Sequence, residues 1–183
     1  SVNSTDMSEG KTTSLCNIAA SYALNGKKVL LVDLDFRRPA MESFFELKRS
    51  KKGVVDIVVD DIGLDECIVR PLDDIQNLHL LPSGHSTKNP GAILSSNKFD
   101  ELINKLRIYY DYILIDSPPI SFGSEFNILS KNLDGFILVV RSGVSFKASL
   151  SQFVKNLSFI SSPLLGYVYS CVPREERSKG RSG

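Results

Sequence analysis

Histidine, cysteine and long apolar runs are all scarce in this chain, and each scarcity closes a functional class. Only two histidines, His79 and His85, occur in 183 residues, too few ligands for a histidine-built metal centre. The three cysteines, Cys16, Cys67 and Cys171, are odd in number and widely spaced. They form neither a disulfide framework nor a zinc pattern and fit a reducing compartment. No apolar run reaches the roughly 18–20 residues that cross a bilayer. No sign of charge dominates either: 22 Lys and Arg against 21 Asp and Glu leave +1. That balance gives no basic field to draw nucleic acid, and no nucleic-acid partner is expected. What remains is ordinary for a globular domain, 42% apolar and 23% charged, in a chain long enough to bury one substantial core.

Short β-branched and leucine runs punctuate the chain: Val29–Asp33, Leu78–Leu81, Tyr112–Asp116, Phe136–Val140 and Leu164–Tyr169. Such continuous runs predict strands covered on both faces. Between them lie stretches with helical spacing. Residues 12–25 carry Leu15, Ile18, Ala19, Tyr22 and Ala23 and stop at Gly26, a helix-ending position that glycine favours. A second helix is expected near Pro39, carrying Met41, Phe44, Phe45 and Leu47; a long amphipathic one over 92–109; others over 124–132 and 146–160. Val54–Val59 reads as helix or strand, since periodicity alone leaves it open. Tyr109, Tyr110 and Tyr112 are expected in the core, and Cys16 as a small core residue. Strands separated by helical crossovers imply an α/β fold of three layers, a mostly parallel sheet with helices on both faces. Residues 1–172 read as one domain and 173–183, charged and without apolar anchors, as a loose tail. Only Ser1-Val2-Asn3 precede Ser4-Thr5, so the chain is expected to be cut inside or just after its first strand.

Three motifs fall where strands of such a sheet end, the edge at which ligands bind. The first is Thr5-Asp6-Met7-Ser8-Glu9-Gly10-Lys11-Thr12, followed by Thr13. Its second half matches a phosphate loop: Gly10 lets backbone amides approach an anion, Lys11 reaches terminal phosphates, and the Thr12 hydroxyl suits magnesium. The helix that follows points its positive end at the same place. Thr5 stands at the first glycine of the template. The second motif ends a strand with Asp33 and Asp35, followed by Arg37, Arg38 and Pro39. Residues two apart in an extended segment face the same way, and two neighbouring acids need a cation between them; magnesium supplies one. Arg37 or Arg38 is placed to contact a phosphate or a carboxylate. Read alone, the pair has a solvated acidic turn with an Arg counter-charge as its alternative. The third motif puts Asp116 at the end of Tyr-Ile-Leu-Ile-Asp, a position suited to a magnesium contact. Glu125 reads as capping or charging the next helix, with a side chain turned back toward the site as the alternative, and His85 as a solvated loop residue.

Together, Glu-Gly-Lys-Thr-Thr, Val-Asp-Leu-Asp-Phe-Arg-Arg-Pro and Asp-Tyr-Ile-Leu-Ile-Asp-Ser-Pro-Pro resemble the bacterial tyrosine kinases of capsule and exopolysaccharide systems, a family within the partitioning and cell-division type of P-loop ATPases. Leu-Leu-Pro-Ser-Gly followed by Asn-Pro-Gly-Ala-Ile-Leu extends the resemblance over nearly the whole chain. It implies ATP and Mg2+ as cofactors, with Ser8, Glu9, Gly10, Lys11, Thr12 and Thr13 around the phosphates. It implies Thr12, Asp35 and Asp116 on the metal, and Asp33, Lys11 and Arg37 as the catalytic set, Asp33 accepting the proton of a tyrosine hydroxyl. Implied partners are tyrosine-bearing proteins (the chain itself or a sister subunit), other copies in an oligomer, and a membrane polysaccharide co-polymerase or adaptor. The implied location is the cytoplasmic face of the plasma membrane. Ser8, Ala92, Glu125 and Ser170 stand where the family more often has glycine, glutamate, aspartate and an adenine-contacting asparagine. An ATP-driven switch acting through assembly is the alternative reading, and a nucleotide-binding pseudoenzyme a third.

Overall fold

In the computed structural model the described residues are 1–4, 10–50, 52–117, 124–143, 151, 153–155 and 157–171. They contain six parallel strands: β1 (Val2–Ser4), β2 (Val29–Asp33), β3 (Leu78–Leu81), β4 (Tyr112–Asp116), β5 (Phe136–Arg141) and β6 (Leu164–Ser170). Their order across the sheet is β3-β2-β4-β1-β5-β6. The chain moves outward to one side of β1 for β2 and β3, returns for β4, then crosses to the other side for β5 and β6. The reversal falls between β4 and β1, so a crevice opens at their carboxyl ends, as expected of such sheets.

The period-two alternation of β2 divides the core. Val29 and Leu31 join Leu15, Cys16, Ala19 and Ala23 of α1 (Lys11–Leu24) on one face. Leu30 and Val32 face the opposite layer, where α5 (Asn97–Tyr109) contributes Phe99, Leu102, Ile103 and Leu106. That layer also holds α3 (Val54–Asp60), α4 (Pro90–Leu94) and α6 (Ser124–Ser130), and a one-turn α2 (Met41–Phe44) completes the helices that position the site. Helices on both faces of a parallel sheet are the three-layer arrangement expected. No helix among the described residues is long and apolar enough to cross a membrane.

Several local expectations are corrected. The long helix over 92–109 is two, because Ser96 leaves helical geometry and its Oγ accepts the Phe99 amide at 3.2 Å, starting α5 afresh. The helix expected near Pro39 lasts one turn; Phe45 and Leu47 pack beyond its end, and Glu46 takes φ 55°. The segment left open between helix and strand is settled rather than corrected: Val54–Asp60 is helical, with Val54, Val55 and Val58 on its buried side. Tyr109 and Tyr112 lie at the surface rather than in the core, 57% and 37% exposed. Strand β4 buries only its carboxyl end, and Tyr112 at the other end stacks on Tyr22 with ring centroids 4.3 Å apart. Much of the 146–160 helix, the turn 118–123 with Pro118 and Pro119, and the 173–183 tail lie outside the described residues.

One turn admits only glycine. Gly84 follows β3 with φ 81°, and a β-carbon there would collide with Asp56 Oδ2. Asp56 is buried and accepts the Gly53 amide at 2.9 Å, the His85 amide at 3.2 Å and the His85 ring at Nδ1. His85, expected in solvent, therefore keeps an exposed ring but is strapped to α3. Gly84→Ala is expected to cost about 2–5 kcal/mol, the sum of left-handed strain and overpacking. Gly143 has φ 74° with open space around it, so Gly143→Ala should cost only about 1–2 kcal/mol. Paired urea melts test the difference.

Candidate active site

Strand β1 ends at Ser4, and Gly10, with φ 88°, delivers the chain into α1. The conformation is left-handed, which glycine alone adopts without strain. Gly10, the residue before α1, has no side chain to cap the helix, and the amides of a helix start are a natural place for an anion. Ser8 and Glu9, expected in the phosphate loop, lie outside the described residues. Lys11 opens the helix and is nearly buried; its Nζ forms an ion pair with Asp116 Oδ1. Thr12 Oγ1 donates to Asp116 Oδ2 at 2.6 Å. Both oxygens of Asp116 are thus engaged by adjacent residues of α1. Thr13 is exposed on the helix surface.

Asp33 and Asp116 are register partners at the ends of neighbouring strands. Asp33 is 1% exposed, and burial with repulsion from Asp116 pushes its carboxyl up to about 7. Backbone bonds partly oppose that rise: Oδ2 accepts the amides of Ala40 at 3.0 Å and Met41 at 3.2 Å, and Oδ1 that of Asp35 at 3.1 Å. Asp35 lies beyond the strand, half-buried, raised chiefly by burial and lowered by Lys11. The Cys16 thiol below is pushed up to about 12 by burial and then by the two buried acids, which makes it an inert core residue.

Lys11, Thr12, Asp33, Asp35 and Asp116 are therefore brought together; the Arg37 guanidinium reaches Glu125 instead, in a two-pronged pair at 2.6 Å and 2.6 Å. For Glu125 the sequence left both a helix-capping role and a site-facing one open, and the structure turns it to Arg37. Asn3 and Ser117 had no site role in that reading; both are fully buried, and their side chains bond at 3.0 Å and fasten the end of β1 to the end of β4. A polar residue next to Val2 in so short a strand was the signal for Asn3. Ser170, at the end of β6, lies beside the phosphate-loop turn: a β-carbon on Gly10 would meet its Oγ at 3.9 Å.

The donor set fits a phosphate chain and a hard cation. A buried ammonium and the amides of a helix start suit phosphate oxygens, while crowded carboxylates and a hydroxyl suit magnesium. Among the described residues no three His, Cys, Asp or Glu side chains form a ready-made metal cage. Magnesium needs none, because it keeps waters and borrows phosphate oxygens.

A parallel sheet reversing at β1, with Gly-Lys-Thr opening a helix there and an aspartate on the adjoining strand, defines a P-loop nucleotide-binding protein. The family profile described as "AAA domain" matches residues 8–164. "Tyrosine-protein kinase CpsD" of Streptococcus pneumoniae is 34% identical over 170 residues, spanning 93% of this chain and 74% of that protein. Among solved structures, the chimerical protein CapA2B2 superposes with a TM-score of 0.88 at 27% identity, over 94% of this chain and 75% of that one. The VpsO kinase domain gives 0.86 at 32%, over 94% and 83%. The septum site-determining protein MinD of Pyrococcus horikoshii, complexed with Mg-ADP, shares the fold with a TM-score of 0.73 at 22% identity, over 97% and 74%. The chain belongs to the bacterial tyrosine-protein kinase family of capsule and exopolysaccharide biosynthesis.

Proposed function

We propose that this domain transfers the terminal phosphoryl group of ATP to tyrosine hydroxyls of protein substrates and so regulates the making and export of a capsular or exopolysaccharide. One observation carries the reading: Lys11, Thr12, Asp33, Asp35 and Asp116, from three separate segments, meet at the carboxyl ends of neighbouring strands. Phosphoryl transfer needs positioning and charge neutralisation more than covalent help from the protein, and this cluster is built for both. Ser8, Glu9, Gly10, Lys11, Thr12 and Thr13 surround the phosphates, with Lys11 neutralising the charge that develops on the transferred group. Thr12, Asp35 and Asp116 would hold magnesium, which supplies positive charge to the phosphate oxygens. Asp33, poised near neutrality by its surroundings, accepts the proton of the incoming hydroxyl, the protonation behaviour a general base needs at physiological pH. The acceptor tyrosine belongs to this chain, a sister copy or another protein. A membrane-bound polysaccharide co-polymerase or adaptor would bring the domain to the inner face of the plasma membrane.

The test is incubation with labelled ATP, magnesium and a tyrosine-rich peptide. Phosphotyrosine is expected from the natural sequence and not from Asp33→Ala. Phosphate release without phosphotyrosine would instead mark an assembly switch of the MinD type.

A further inference from the structure

The turn that carries the paired acids is tied to a helix it does not belong to. Arg37 lies two residues beyond Asp35, and its Nη1 and Nη2 donate to Glu125 Oε2 and Oε1, both at 2.6 Å. The side chain of Glu125, in the first turn of α6, is only 9% exposed. Two partners 88 residues apart in sequence are thus joined. A forked guanidinium–carboxylate pair fixes orientation as well as distance, which a point-charge ammonium does not. The two segments it joins leave the neighbouring strands β2 and β4, whose last residues are Asp33 and Asp116. Within the turn, Leu34 and Phe36 are buried anchors, and the Arg38 amide bonds Asp35 at its carbonyl and its Oδ1, each at 3.1 Å. The Leu34 amide also donates to the Asp116 carbonyl at 2.8 Å, and Arg37–Glu125 clips the exposed side of the turn to α6.

We propose that Glu125 is a positioning residue for phosphoryl transfer: by gripping Arg37 it holds the Asp33-x-Asp35 turn in register with the Lys11–Asp116 pair. The inference rests on the kinase reading above and deepens it. Arg37 then acts on the acids through its carboxylate partner, and the phosphates are bound by the Gly10–Thr12 segment. Misplacement of a reacting group by about 1 Å can cost 10²-fold, so the loss belongs in kcat.

Four forms of the full chain are compared with the natural one: Glu125→Gln, Arg37→Gln, the two together, and the exchange Arg37→Glu with Glu125→Arg. Each single change should lower kcat about 10–100-fold with the KM for ATP changed less than about twofold. The double Gln form should be no worse than either single, because partners in one interaction are non-additive. The exchange should regain part of the loss. Hydrogen exchange of amides 34–41 should quicken in both singles, a readout that needs no activity. A raised KM for ATP in Arg37→Gln with Glu125→Gln silent would overturn the proposal, making Arg37 a phosphate ligand. Unchanged exchange in Glu125→Gln would overturn it too, whether or not the exchanged pair folds. A natural chain that makes no phosphotyrosine fails the kinase reading separately, and the exchange rates still decide the latch.

Discussion

Lys11→Met is expected to reduce phosphotyrosine formation by about 10²–10³-fold or more, the loss typical of removing one charge-stabilising donor from a transition state. It should also destabilise the protein, and the two effects have different causes. In the folded chain the Lys11 ammonium pairs with Asp116, which shares the crevice with Asp33. Its removal leaves two buried carboxylates facing each other without a cation, and breaking one side of a buried pair costs about 3–5 kcal/mol. Asp116→Asn in the same chain removes one of those charges while keeping an oxygen for the Thr12 hydroxyl. The double variant should therefore recover most of the melting temperature of the natural sequence and none of its activity. Equal recovery of both would mean that Lys11 matters only as a counter-ion. Melting curves and phosphotyrosine blots on the same preparations separate the outcomes.

Asp33→Asn should lower kcat by about 10²–10⁴-fold, the usual contribution of a positioned base, and yet stabilise the nucleotide-free protein above neutrality. The sign follows from the proton count. The Asp33 carboxyl titrates near 7 in the fold and near 3.8 when unfolded. Between those values the native state holds a proton that the unfolded chain has released. Stability therefore falls as pH rises through this window and levels off above it. At roughly 1.4 kcal/mol per pKa unit the loss approaches about 4 kcal/mol. Asparagine carries no charge to desolvate, so the melting temperature of the variant should change less between pH 4.5 and 8 and exceed that of the natural sequence at pH 8. Its amide nitrogen cannot accept the Asp35 N–H that Oδ1 now receives, which takes back about 1 kcal/mol. A variant less stable than the natural sequence at every pH would show that Asp33 serves the fold as an ionised cap.

Much of this was legible before any coordinates. The buried runs at Val29 and Phe136 are strands because uninterrupted apolar β-branched sequence has few other uses, and Gly10-Lys11-Thr12 opens a helix where expected. Elements misread were those whose limits depend on a single hydrogen bond. Ser96 caps a new helix, although Ile93 and Leu94 before it and Phe99 and Leu102 after it carry one continuous period. Tyr109 and Tyr112 have core-like composition, but Tyr109 closes α5 and Tyr112 begins β4, at the rim of the sheet where burial has not yet set in, a fact of packing rather than of residue type. Val54–Asp60 is short enough for either period, and its side chains became helical by seating Asp56 under Gly53.

The amino-acid sequence by itself determined the α/β class, the order of the motifs and the identity of the ammonium, hydroxyl and carboxylates at the site, because each of those is written in local spacing and residue chemistry. Only the tertiary structure decided which groups meet. That Arg37 turns to Glu125, that Asn3 fastens to Ser117, and that Asp33 is buried, and close enough to Asp116, to hold a proton near neutrality depend on distances between segments about 83 to 114 residues apart. Those distances follow from strand order and layer packing, which no local pattern encodes.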